Sequence, residues 1–486
     1  MLKRNLRLQD SAPFFHAMKS VRRHGNVLPL YIHEPEMIRQ PDVSRQHQAF
    51  IRETLDDLVS EIETLGGQLL ELVGDAISVL ERIHASKPIT RICTHRETTQ
   101  NSQFERDNQV RQWCLAHGVE LVEFEQNGIA RGRQQPLTFP EYFSQSVNLT
   151  LKDPTGTNLS ERFEKPQMPS CSLQDIPNAQ GVDKPLRQTG GRREGVRALN
   201  HFFTLQNLNQ YPFKLSSPNT GWDGCSRMST YLAYGVVSDR EVFRAVDRVV
   251  TEGHQRLNSD QFQTLQDRAR FYLDRLTWRR QYIQAFENDP SLETQCMLRQ
   301  FNGVREAEFD QALFDAWKSG RTGYPYIDAA MRCLHETGWI NMRLRATVVS
   351  FATMNLWLPT VKVAQYLATE FLDYDPAIHH VIHQVVAGTS TFDGLMVYDP
   401  IKQGLDHDAD GTFIRRYIPE LADCAGPEVH HLQTVSGHKN VHSKTIVRPY
   451  PEPVVDHRET AMKAKRRVRN LQKGLADSGT RQIGLL

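Results

Sequence analysis

Ser319-Gly320-Arg321-Thr322-Gly323-Tyr324-Pro325-Tyr326-Ile327-Asp328-Ala329-Ala330-Met331-Arg332 leads, a few residues on, to Thr337-Gly338-Trp339 and then to Arg343-Leu344-Arg345. The stretch reads as a Gly/Pro turn, a helix, a Gly/Trp turn and the start of a second helix. Turns of that chemistry fix the angle at which the backbone enters the next element. Arg343 and Arg345, at i and i+2 on a helix that reads as buried, require anionic or acceptor partners, since an unpaired buried charge is costly. The block predicts a helical domain with a pocket for an anion or a cofactor.

N-terminal to this block the period changes. Val27 to His33, Gln68 to Val73, Thr90 to Thr94 and Val119 to Phe124 read as short strands, while Ile51, Leu55, Leu58, Ile62 and Leu65 recur at helical spacing before Gly66-Gly67. Ala76 to Ile83 reads as another helix. Alternation of this kind predicts a Rossmann-like α/β domain with a parallel sheet, over 1–130. Residues 131–196, rich in Pro, Ser, Gln and Asn, read as a long connector draped over the surface. From 197 to 486 the apolar spacing is helical, which predicts an all-α domain with a basic tail (Lys463, Lys465, Arg466, Arg467, Arg469) that reads as a solvated helix. Only Met1 and Leu2 precede the turn Lys3 to Asp10; either the start lies several residues upstream, the reading favoured, or the sheet lacks a strand.

The bulk composition excludes several classes. Lys+Arg 58 against Asp+Glu 57 argues against wholesale coating by nucleic acid and leaves room for a local basic groove. Seven scattered cysteines (93, 114, 171, 225, 296, 333, 424), without a C-x-x-C pair, argue against a disulfide framework, a zinc site and an iron–sulfur cluster, and fit the cytoplasm. No export signal or membrane-spanning run is found.

Three motifs point to chemistry. Gly224-Cys225-Ser226-Arg227-Met228-Ser229 offers hydroxyls and backbone N–H groups at a helix start, which suits a pyrophosphate and, taken alone, is equally an ordinary cap. Asp373-Tyr374-Asp375 sets two carboxylates two apart at a helix end; taken alone it is more often a solvated turn or a helix cap, and with Arg345 nearby a buried ion pair becomes the better reading. Tyr398-Asp399-Pro400-Ile401-Lys402-Gln403-Gly404 and Asp408 to Leu421 form a late turn-rich signature. With the opening block, these resemble the photolyase/cryptochrome family along nearly the whole chain, most closely from about 219 to 421.

The resemblance implies an α/β antenna domain, a connector and an all-helical FAD-binding domain, in a monomer. It implies FAD as cofactor, held by Cys225, Ser226, Arg227, Met228, Ser229, Trp278 and Arg279, with Arg345 and Asp373 beside flavin N5 and Asp375 at the ring or ribose. Arg345, Asp373, Met342 and His383 are the implied catalytic set, and Arg275, Arg343 and Lys402 the implied DNA contacts. A folate or deazaflavin antenna is usual in the family; Glu97, Glu105, Arg106 and Asp107 fall near its contacts, although charged loop residues are more often solvated. The implied activity is FAD-dependent, blue-light-driven electron transfer to pyrimidine photoproducts in DNA, a photolyase-type carbon–carbon lyase. The alternatives are a cryptochrome-like photoreceptor without repair activity and a redox flavoprotein that does not use light.

The chain departs from the family pattern at the cavity. Arg275 stands where dimer-repairing members carry a carboxylate, Met342 where they carry an Asn over N5, and Ala346, Val385 and Met396 where they carry Met, Trp and Arg. A site built to hydrogen-bond a flipped base loses heavily when such partners vanish. The family's three relay tryptophans fall at Ala307, Thr360 and His383, so Trp357, Trp339 and Tyr374 become the candidate electron route, with plain core packing the competing reading. His379, His380 and His383 lack the ligand pattern of a metal site, and none is expected; His379 and His383 are expected to line the pocket and to titrate near neutrality.

Overall fold

The structure, a computed structural model, describes residues 1–21, 26–126, 128–129, 159–391, 395–424, 426–432 and 450–476. β1 (Leu30–His33) runs parallel to β2 (Leu70–Val73), with Leu30 opposite Leu70 and His33 opposite Val73. β3 (Arg91–His95) runs parallel to β4 (Glu120–Phe124), with Arg91 opposite Glu120. The parallel sheet is thus two separate pairs. Met1 and Leu2 lie between them: the Leu2 N–H donates to Leu30 O at 2.8 Å, the Met1 amino group to Cys93 O at 2.9 Å, and the Thr94 hydroxyl to Met1 O at 3.0 Å. Two residues supply one rung on each side, too few to extend a ladder. Val27, read as strand, makes only an isolated bridge to Phe163.

Helix Arg45–Thr64 buries Phe50, Leu55, Leu58 and Ile62 from its 3.6-residue stripe and starts at Ser44, which forms a capping box with His47. The described part of the connector does more than drape. Leu159 and Phe163 join Phe14, Leu58 and Ile62 in one apolar cluster, and the buried Lys184 ammonium donates to Leu334 O at 3.1 Å and pairs with Glu370 at 2.6 Å. Residues 131–158 of the predicted connector lie outside the described residues.

The helical half begins at Arg192–Phe202 and contains the 30-residue helix Ser259–Asn288, capped by Asn258 and packed on Pro376–Val386. Its core centres on helix Pro325–Thr337, with Trp317, Tyr326, Ile327, Met331 and Leu334 all nearly solvent-free. Pro at the first position starts this helix and Gly338, at φ 66°, ends it in the left-handed region that favours glycine. Helix Met342–Ser350 widens into a π-helical turn, Phe351–Asn355. The basic tail forms helix His457–Ala476, packed on that turn. Among the described residues no helix is long and apolar enough to cross a membrane.

Asp328 explains why the opening stretch folds as it does. Its buried carboxylate accepts the Thr322 N–H (2.8 Å), the Thr322 hydroxyl (2.7 Å), the Gly323 N–H (3.1 Å) and the Tyr450 hydroxyl. Burial pushes this carboxyl up. Replacing it by Asn keeps one acceptor oxygen and turns the other into an amide NH2 that faces two donors, and a buried unmatched group is expensive. Asp328→Asn is expected to lower unfolding stability by about 2–4 kcal/mol, read by denaturant titration; an unchanged midpoint would contradict this role.

Candidate functional site

The turn Lys3 to Asp10 is the hinge between the two halves and forms the back of the site. Leu6 N–H donates to Tyr234 O at 3.2 Å, Arg7 Nη1 to Gly235 O at 2.8 Å, and Arg4 Nε to Ala233 O at 3.1 Å, with Arg4 Nη2 donating to Tyr374 O. Gly235, at φ 63°, lets the backbones meet: a Cβ there would sit 2.4 Å from Arg4 O. Asp10 accepts the buried side of Arg240 at 2.5 Å. These contacts press Tyr374, and with it Asp373 and Asp375, against the α/β domain.

Arg345 Nη2 lies 2.8 and 2.7 Å from the two carboxylate oxygens of Asp373, Nε donates to Ile340 O at 3.1 Å, and the guanidinium covers the Phe371 ring at 4.0 Å. The pair lines a cavity of about 80 Å³ shared with Met342, Asp375, His379 and His383. The structure therefore gathers the four residues expected to be catalytic around one space. Met342 stands at its mouth, 46% exposed, because Asn341 is used as the helix cap: its Oδ1 accepts the Leu344 N–H at 2.9 Å, and its Nδ2 donates to Ser216 O at 3.2 Å.

The histidines do not titrate near neutrality. Burial pushes His383 down to about 4 and His380 down to about 3, and lowers His379 well below its usual value. The His379 and His383 rings lie 4.1 Å apart, and His383 Nδ1 is 2.6 Å from His379 O. Two charged imidazoles at that spacing would repel in a medium of low dielectric. The pocket wall is thus neutral at pH 7, and the expected proton donors are absent. Among the described residues no group of three or more metal-ligating side chains occurs.

The Cys225 to Ser229 turn is held by Arg227, left-handed at φ 55°, whose guanidinium is sandwiched between Trp222 (4.1 Å) and Trp339 (4.0 Å). Burial lowers Arg227 to about 10 and raises the Cys225 thiol to about 12. Ser226 Oγ accepts the Tyr272 hydroxyl at 3.0 Å and the Met228 N–H at 3.4 Å, and Ser229 is exposed. Arg279 donates to Asp375 at 3.0 Å and lies 3.5 Å from Asp239, which also binds Arg280 at 3.0 Å. Sequence reading missed Asp239, which is buried, and Arg4, which is half-buried; the spacing of neither carries a periodic signal. Arg227 Nε and Nη2, Arg275 Nε and Arg279 Nη1 are buried without a hydrogen-bond acceptor. Orphaned guanidinium nitrogens of this kind suit an anionic ligand.

The residues expected to touch DNA are divided. Arg275 lies between Phe271 (4.3 Å) and Trp278 (4.2 Å), the latter 41% exposed. Arg343 lies over Tyr398 at 5.7 Å, and Lys402 pairs with Asp406 at 2.8 Å. In the α/β domain, Glu97, Arg106 and Asp107 are buried in one ion web, and only Glu105 is solvated: Arg106 pairs with Glu34 at 2.5 Å, Glu97 at 3.1 Å and Asp107 at 2.7 Å, and Lys3 pairs with Asp107 at 2.7 Å. The web borders a cavity of about 440 Å³ whose wall includes Tyr31, His33, Met37, His47 and Tyr374.

Unfolded imidazoles protonate near pH 6.5, whereas His47, His380 and His383 in the fold wait until about 3 to 4. Between those values the unfolded chain binds more protons, so stability is whole above 6.5 and falls as pH drops toward 4. The thermal midpoint is expected to decline from pH 7 to pH 5, and His383→Gln to flatten that decline. A profile level across this window would contradict the buried, neutral assignment.

Two family models match the chain: the FAD binding domain of DNA photolyase over residues 272–470, and DNA photolyase over residues 1–144. The chain is 24% identical to a deoxyribodipyrimidine photo-lyase of Alkalihalophilus pseudofirmus, with 95% of each covered, and 24% identical to a cryptochrome DASH of Danio rerio, with 99% of this chain and 94% of that one covered. An archaeal photolyase from Sulfolobus tokodaii, crystallised with two FAD molecules, superposes with a TM-score of 0.74 at 24% identity over 96% of this chain and 98% of its own. With the Arg345–Asp373 pair, the ring of acceptor-hungry guanidiniums and these two matched domains in order, the chain belongs to the photolyase/cryptochrome family and carries its FAD-binding domain.

Proposed function

We propose that the protein is a FAD-dependent, blue-light-driven photolyase that passes an electron to pyrimidine photoproducts in DNA. The observation that carries this reading is the charge pattern of one cavity: a cation, Arg345, fixed by Asp373, faces a wall whose histidines are uncharged at pH 7. Bound there, FAD supplies the blue-light chromophore and the transferable electron. Arg227 and Arg279, with Ser226 and the Met228 N–H, would hold its diphosphate, and Arg345 and Asp373 would face its ring. Arg345 stabilises negative charge arriving in the cavity, and the neutral His379 and His383 leave that charge unquenched by a proton.

Arg275, Arg343 and Lys402 line the DNA side, and the mouth offers Met342, Ala346 and Val349 where polar contacts to a cyclobutane dimer would stand. Such a mouth supports the face of a flipped base more than its hydrogen-bonding edge. A cryptochrome-type photoreceptor is the second reading, favoured by the neutralisation of Lys402 by Asp406 and the packing of Arg275 between rings, which leave fewer free cations for a phosphate backbone. The cavity of about 440 Å³ is the proposed antenna site, with room for a folate, a deazaflavin or, as the light-harvesting cofactor implicated in the Sulfolobus tokodaii photolyase, a flavin.

Arg227→Ala removes the charge and empties the Trp222/Trp339 sandwich; the flavin retained on purification is expected to fall about tenfold or more while the fold survives, read by absorbance at constant circular dichroism. Oligonucleotides bearing a defined cyclobutane dimer or a pyrimidine–pyrimidone (6-4) photoproduct, illuminated with blue light beside the reduced protein, are expected to be restored for at least one lesion. Photoreduction of the protein without restoration of either would favour the photoreceptor.

A further inference from the structure

The three candidate electron donors near the site differ in what surrounds them. Trp357 has Arg305 at 4.7 Å and Arg467 at 4.3 Å from its ring, and its buried Nε1 has no acceptor. Trp339 has Arg227 at 4.0 Å. A guanidinium over an indole stabilises the neutral ring and repels the radical cation that oxidation would leave, and without an acceptor at Nε1 that cation cannot shed its proton. Tyr374 is the reverse case. Its hydroxyl donates to Asp42 Oδ2 at 2.5 Å, and the same oxygen accepts from Gln100 Nε2. Its neighbours from the helix that follows are the neutral His380, with Nε2 3.4 Å from the hydroxyl, and the neutral His379, with ring centroids 5.0 Å apart. His379 lines the cavity that holds the Arg345–Asp373 pair, while Tyr374 itself lines the larger cavity in the α/β domain, whose rim includes the exposed Leu173.

We propose that Tyr374 is the proton-coupled electron donor of this protein and that Asp42 is its proton acceptor. The inference rests on the light-driven, FAD-binding reading given above and holds for repair and signalling alike. Tyr374 loses one electron to light-excited oxidised flavin and its phenolic proton to the Asp42 carboxylate, leaving a neutral tyrosyl radical and a protonated Asp42. Burial pushes the Asp42 carboxyl up, which makes it a stronger base than a solvated carboxylate. When no antenna fills the larger cavity, a small-molecule thiol entering it then returns one electron to Tyr374, the phenolic proton comes back from Asp42, and the thiol leaves as a thiyl radical and a released proton. His47, 6.1 Å from the Tyr374 ring and pushed down to about 4, and Arg4, bonded to Tyr374 O, complete the surroundings without offering a competing base.

The test uses the full-length, FAD-loaded protein under blue-light flashes, read by electron paramagnetic resonance and by infrared difference spectroscopy. The wild type is expected to give a neutral tyrosyl signal together with a new protonated-carboxyl band. Tyr374→Phe is expected to lose both and to slow photoreduction by about tenfold or more. Asp42→Asn is expected to lose the carboxyl band and to slow tyrosyl formation, and Trp357→Phe to change neither signal. Photoreduction at wild-type speed in Tyr374→Phe, or a tryptophan radical in the wild type, would overturn the relay and leave the proposed function standing. A wild type that binds FAD and is not photoreduced at all would overturn both.

Discussion

The interdomain hinge at Lys3 to Asp10 is the constraint on which the rest of the structure depends. Its charged side chains are buried or, for Arg4, half-buried, and each is answered: Lys3 by Asp107, Arg4 by two backbone carbonyls of the helical half, Arg7 by Gly235 O, Asp10 by Arg240. A buried cation without partners costs several kcal/mol, so the two domains cannot separate without exposing or orphaning this set. The same contacts hold Tyr374, and so position the carboxylates on either side of it that define the cavity. Domain docking and site geometry are one problem here.

From that clasp the electrostatics follow. Asp373 and Asp375 each take one arginine from a different helix, Arg345 and Arg279, so the site is fixed by ion pairs that cross between elements. The histidine wall is neutral because it is dry. The guanidinium atoms that remain without an acceptor, on Arg227 and Arg275, suit an anionic ligand. A protein that only needed a stable helical core would not leave them bare.

Much of this was legible in the sequence, and the boundary is physical. Local patterns gave the short strands, the long helices and the turn chemistry around Gly323 and Gly338, because turn type and periodicity are encoded within a few residues. The Arg345–Asp373 pair was legible through family resemblance, which stands in for the contact that spacing cannot show. What stayed hidden depends on contacts far apart in the chain. Asp42 meets Tyr374 across more than three hundred residues, and nothing local to either announces it. The histidine acidities reflect total burial, which a helix i, i+4 pattern does not specify. The connector was too polar to predict Phe163 and Lys184 as buried anchors, and the sheet splits because only Met1 and Leu2 occupy the slot between β1 and β3.

The absorption spectrum of the purified full-length protein, reconstituted with FAD and followed under blue light, tests the central claim most directly. The expected result is one tightly held flavin per chain, with resolved vibronic structure from a rigid pocket, bleaching under illumination in the presence of a thiol. Protein that folds and yet retains no flavin after reconstitution would contradict it.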